Sequence, residues 1–154
     1  MQPDLNLQST SLYEQDYQRW LETTIVQLKF RNVENLDYDN LIEELESLEK
    51  GEKRALSSYM MRLCEHLLKV QYWEQERAQC LRGWTVEIHN FRLQIQAILE
   101  DSPSLKNHLE SCFIRDYQNG RNLFLDASGL EPSTVPQEPT FSLGQALNES
   151  WFPE

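Results

Sequence analysis

Between Leu41 and Val70 the apolar residues keep close to a three-four spacing: Leu41, Leu45, Leu48, then Ala55, Leu56, Tyr59, Leu63, Leu67 and Val70. That period gathers them on one stripe of a long helix rather than on alternate faces of a strand. An amphipathic helix of this length must cover its stripe with other helices, which points to an all-α fold. The chain has only 5 Gly and 6 Pro in 154 residues, with the Pro gathered late, and that also favours long helices over a turn-rich β fold. Gly51 beside Glu52, which falls on the stripe, predicts a kink or local exposure in the long helix.

The other segments fit around it. Ser11 can cap a first helix carrying Leu12, Trp20, Ile25 and Leu28 and ending near Arg31. Asp37 is placed to cap the long helix, its side chain accepting from the free amides of the first turn. A third helix spans Arg82 to Glu100, with Trp84, Ile88, Phe91, Ile95, Ile98 and Leu99 on one side. Asp101, Ser102 and Pro103 end it, and Pro103 can open a fourth helix that stops at Gly129. Pro132, Pro136 and Pro139 form an extended connector before a short helix starting at Ser142. The expectation is an up-down bundle of about four main helices: a tail over 1–10, the bundle over 11–131, and over 132–154 the connector and short helix packing on it.

Charge and composition exclude several classes. A net charge of -11 repels a phosphate backbone, so nucleic acid is not the expected partner. No apolar run approaches the roughly 20 residues that span a bilayer, and the opening "MQPDLNLQST" has no features of a signal segment. Cys64, Cys80 and Cys112 are odd in number and lack a CxxC pair, which fits free thiols in the cytoplasm.

The stretch "YDNLIEELESL" concentrates carboxylates with no basic residue between Arg31 and Lys50. Leu41, Ile42, Leu45 and Leu48 define one helix face, which puts Glu43 and Glu46 away from it and Glu44 at its border. These acids suit the positive end of the helix dipole, and Glu46 with Lys50 and Glu49 with Lys53 fall at the i,i+4 spacing. A di-metal carboxylate bundle would need Glu-x-x-His pairs, yet Leu63, Val86 and Leu105 stand three residues before His66, His89 and His108. No HExxH, GxSxG, GxGxxG or Walker-type loop is present, and no cofactor or metal is expected.

His66 lies on or beside the stripe of Leu63, Leu67 and Val70, where a half-buried imidazole must find a partner. It is the candidate around which an acid/base or metal site would form, with Asp37 and Glu44 as the weaker carboxylate candidates. Arg54, Arg62, Lys69, Arg77, Arg82 and Arg92 make the middle third nearly neutral, while the acidic excess lies to either side. Tyr72, Trp73 and Trp84 flank a helix junction there. Arg62, Lys69, Tyr72, Trp73 and Trp84 are therefore the interaction candidates, since Trp, Tyr and Arg are favoured at protein interfaces.

Five blocks, "SLYEQDYQRWLE", "DYDNLIEELESL", "HLLKVQYW", "ILEDSPSLKNHLE" and "TFSLGQALNESWFP", occur in an order and spacing that resembles the helical family called domain of unknown function 29, abundant in cyanobacteria. The resemblance covers nearly the whole chain. It implies an all-α, bundle-like fold in a small bacterial protein and carries no activity, substrate or catalytic residue to transfer. Val70 departs from the aromatic residue expected after "HLLK" in many relatives. From the residues, the leading expectation is a soluble helical module that binds another protein or a second copy of itself. The alternative is a small metal-dependent or acid/base enzyme with a site near His66.

Overall fold

The computed structural model describes residues 11–154, so the expected tail over 1–10 lies outside the described residues. Among the described residues there are six α-helices and no strand: α1 (Leu12–Gln15), α2 (Tyr17–Lys29), α3 (Tyr38–Tyr72), α4 (Glu74–Asp101), α5 (Leu105–Ser128) and α6 (Leu143–Leu147). The fold is all-α. The chain divides into two compact units, the first ending at Glu49 and the second running Lys50–Glu154.

In the first unit, the single helix expected from Ser11 to about Arg31 is broken into α1 and α2. Asp16 causes the break: in extended backbone (φ -153°, ψ 89°) it ends α1, and its carboxylate accepts the Arg19 N–H at 3.0 Å to cap α2. Local side-chain capping thus wins over the propagation of one helix. At the far end Asn32 N–H reaches Gln27 O at 2.9 Å and Arg31 N–H reaches Leu28 O at 3.2 Å. This paired closure requires a left-handed residue, and Arg31 supplies it at φ 57°, where glycine is the usual occupant. Asp37 caps the long helix as expected, its carboxylate 3.5 Å from Asn40 N.

The second unit is built around the later part of α3. From Leu63 to Leu68 every residue is buried, so this stretch is covered on more than one side. Its Leu63, Cys64, Leu67 and Leu68 share one core with Trp84, Ile88 and Ile95 of α4 and Leu109, Phe113, Tyr117 and Phe124 of α5. Gly120 sets how closely α5 approaches α3. A Cβ there would stand 2.4 Å from Met61 O and 3.0 Å from both Cys64 Cβ and Glu65 N. Gly129, at φ 68°, ends α5 with its N–H on Leu125 O, the stop expected from the sequence.

Helix α4 begins at Glu74, well before the expected Arg82, because the link from α3 is reduced to Trp73 alone. Arg77 explains how so short a link holds: its guanidinium donates to Val70 O and Gln71 O at 2.9 Å each, satisfying carbonyls that the end of α3 leaves open. The segment after Gly129 is fastened by side-chain donors to its backbone. Tyr117 Oη donates to Pro136 O at 2.7 Å, Arg121 donates to Pro132 O and Val135 O, and Arg92 donates to Ala146 O, Glu149 O and Trp151 O. Ser142 and Gln145 close α6 with a capping box.

Candidate functional site

The carboxylates of the first unit are engaged locally. Asp37 accepts from Asn40 Nδ2 at 2.7 Å and from Trp20 Nε1 at 3.1 Å. Led by the Asn40 side-chain amide, these donors hold its carboxyl below the ordinary value against the opposing effect of burial. Glu44 accepts from Tyr13 Oη at 2.5 Å and Tyr17 Oη at 2.8 Å. The hydrogen bond to Glu44 is the main reason that the Tyr13 hydroxyl is pushed up to about 12. Tyr13, Tyr17 and Trp20 pack ring against ring behind these bonds. Both acids thus tie α1 and α2 to the start of α3.

His66 lies in the second unit. Its Nδ1–H donates to Arg62 O at 2.8 Å, and its ring packs edge-on to Phe91 of α4 at 5.3 Å. Burial is the main cause that lowers its pKa, which favours the neutral imidazole. Neighbouring Glu65 is buried between Arg62 at 2.8 Å and Lys69 at 3.4 Å, so these two cations balance a carboxylate of their own helix. Trp73 stacks on Trp84 at 5.7 Å and meets Phe124 at 6.2 Å, while Tyr72 is half-buried against the same core. Among the described residues no group of three or more His, Cys, Asp or Glu is placed to hold a metal ion. No helix among them is long and apolar enough to cross a membrane.

What the sequence pattern did not reveal is where the apolar stripe of α3 stops being covered. Ile42, Leu45 and Leu48 are 52%, 58% and 67% exposed, and on α2 Ile25 and Leu28 are 42% and 40% exposed. Phe30, just past α2, is 80% exposed. The acids follow the same ground: between residues 11 and 49 ten Asp and Glu face only Arg19, Lys29 and Arg31. Helical spacing puts Glu49 within the arc of Ile42, Leu45 and Leu48 and Glu44 at its border. A signal was present in the sequence, since an apolar stripe with no basic residue from 32 to 49 differs in charge from its continuation after Lys50. The described part of the first unit therefore offers exposed apolar side chains framed by carboxylates.

No curated protein and no solved structure matches the chain. A family model does, over residues 12–152. The match begins at the first residue of α1 and ends just short of the last residue of the chain, so it takes in every helix among the described residues, and the chain belongs to the family described as domain of unknown function DUF29.

Proposed function

We propose that this protein is a cytoplasmic interaction module whose first unit docks a cationic segment of another protein through an apolar helix face. The observation that carries this reading is the exposure of Ile42, Leu45 and Leu48 on a helix whose apolar stripe is buried only from Leu56 onward. Covering the exposed half of each such side chain contributes about 1 kcal/mol, so a handful of them sustains specific binding. Charge selects the occupant. Ten carboxylates against three bases favour a partner with Lys or Arg around its own apolar stripe. A second copy, an anionic lipid surface and a nucleic acid would all meet like charge. The free cysteines Cys64, Cys80 and Cys112 support a reducing compartment. Acid/base chemistry at His66 has less behind it, because Nδ1 is committed to Arg62 O and the ring to Phe91.

The test is fluorescence anisotropy with a labelled amphipathic peptide of Leu and Lys, and with its Leu and Glu counterpart as control. Saturable binding of the Lys peptide, abolished by the double substitution Leu45→Glu and Leu48→Glu with the helical circular-dichroism signal kept, is the expected result. Equal binding of the Glu peptide, or binding untouched by the double substitution, would refute the reading. A homodimer in sedimentation velocity that the same substitutions dissociate would replace the cationic partner with a second copy.

A further inference from the structure

A second feature lies wholly within the second unit and is independent of the docking face. Lys53, Arg54 and Ser57 of α3 and His108 and Arg115 of α5 line one open cleft of about 260 Å³. The helical spacing explains the convergence: His108, Cys112 and Arg115 stand four and three residues apart on one face of α5, and Lys53 and Ser57 stand one turn apart on α3. Polar atoms of Arg115 and His108 meet at Ser57. Arg115 Nη2 donates to Ser57 Oγ at 3.0 Å, and His108 Nε2 lies 3.4 Å from the same oxygen. His108 Nδ1 faces Cys112 Sγ at 3.9 Å.

The carboxylate of Asp116 lies beside this cleft. It is 2% exposed, and its Oδ1 accepts from Arg115 Nε at 3.4 Å and Nη2 at 3.3 Å, while Oδ2 is buried without a hydrogen-bond partner. Burial pushes its pKa up, against the pull of Arg115. A half-satisfied buried acid is a poor stabiliser of the fold. What it does achieve is to fix the guanidinium of Arg115 from one side while most of that side chain stays open to solvent. Arg54 has no ion-pair partner among the described residues. Two arginines, a serine and a histidine thus line one cleft, beside Lys53, in a chain whose net charge is -11.

We propose that this cleft binds a small oxyanion of the phosphate class, free or as a phosphate monoester. Guanidinium groups offer paired donors in a fixed fork that matches phosphate oxygens, and Ser57 and His108 add donors of a kind phosphate also accepts. The cleft is smaller than the roughly 300–1,000 Å³ of typical small-molecule sites, which suits a compact anionic group rather than a large ring system. Its local positive field inside a strongly acidic protein gives an anion one preferred place to settle. Arg54 and Arg115 supply the charge that binds, Ser57 and His108 orient the oxygens, and Asp116 is a positioning residue for Arg115.

The experiment is a two-dimensional NMR titration of the full chain with inorganic phosphate, phenyl phosphate and acetate, each at an ionic strength held constant with chloride. Saturable shifts centred on Ser57, His108 and Arg115, with a Kd of about 1 mM or tighter for phosphate, are expected. Arg54→Gln, an exposed change that leaves the core alone, weakens phosphate about tenfold, the loss of one charge-assisted contact. Arg115→Gln is the second variant and weakens it at least as much. Tighter binding of phenyl phosphate than of inorganic phosphate identifies an ester as the source, and equal binding identifies free phosphate. The proposal is overturned if shifts fail to saturate by about 20 mM phosphate, if acetate binds as tightly as phosphate, or if both Arg variants bind like the wild type.

Discussion

The contact between α3 and α5 makes Gly120→Ala a quantitative test of the packing. In an open helix this change should stabilise, because Ala exceeds Gly in helix propensity by about 1 kcal/mol. Here the new Cβ would lie 2.4 Å from Met61 O, about 0.9 Å inside the roughly 3.3 Å of the closest ordinary carbon–oxygen approach. The other two close atoms, Cys64 Cβ and Glu65 N, are 3.0 Å away, so no flexible side chain can swing clear. The helices must separate, and the buried contacts of Tyr117 and Phe124 loosen with them. Overpacking of this kind costs about 1–3 kcal/mol and more where backbone must move, so a net loss of about 2 kcal/mol is expected after the propensity gain. Gly51→Ala is the matched control, since nothing stands within 4 Å of its Cβ, and it should gain up to about 1 kcal/mol. Urea unfolding followed by circular dichroism measures both. If Gly120→Ala proves as stable as the wild type while Gly51→Ala stabilises, the inferred close approach is wrong.

Other consequences follow from single residues. Arg31 holds a left-handed backbone at φ 57°, so Arg31→Gly should stabilise the chain by about 0.5–1 kcal/mol in the same assay, and a loss would contradict the strain argument. Arg92 is buried and donates to three carbonyls of the C-terminal segment, so Arg92→Met should cost about 2–4 kcal/mol and expose Trp151 to fluorescence quenchers. For His66 the folded pKa lies below the ordinary 6.5, so as pH falls through that value the unfolded chain takes up the proton first and stability is lost. His66→Gln should flatten the dependence of urea midpoints on pH below about 6.5, and an unchanged slope would show that another group controls it.

The sequence was most legible where a local rule decides the outcome. Ser11, Asp37 and Gly129 sit at helix ends because capping depends on one residue and its neighbours within a turn. Asp16 could have been recognised as a cap by the same rule, but the apolar spacing on either side of it argued for continuity. Other features depend on what the chain brings near. A stripe such as Leu41 to Val70 records which side is apolar but not what covers it, so the open Leu45 and Leu48 look the same in sequence as the buried Leu63 and Leu67. Ser57 meets His108 and Arg115 across more than fifty residues, a convergence that no local spacing encodes. A half-buried imidazole at His66 must find a partner, but its identity, the Arg62 carbonyl one turn earlier on the same helix, comes only from the structure.

The central claim, that the acid-framed apolar face of α2 and the start of α3 is where a partner docks, is tested most directly by hydrogen exchange with the Leu and Lys peptide bound. Protection gained over residues 17–29 and 38–49, with little change from 50 to 154, is the predicted footprint. Protection centred on the second unit instead, around His66 or the Trp73 and Trp84 junction, would contradict it.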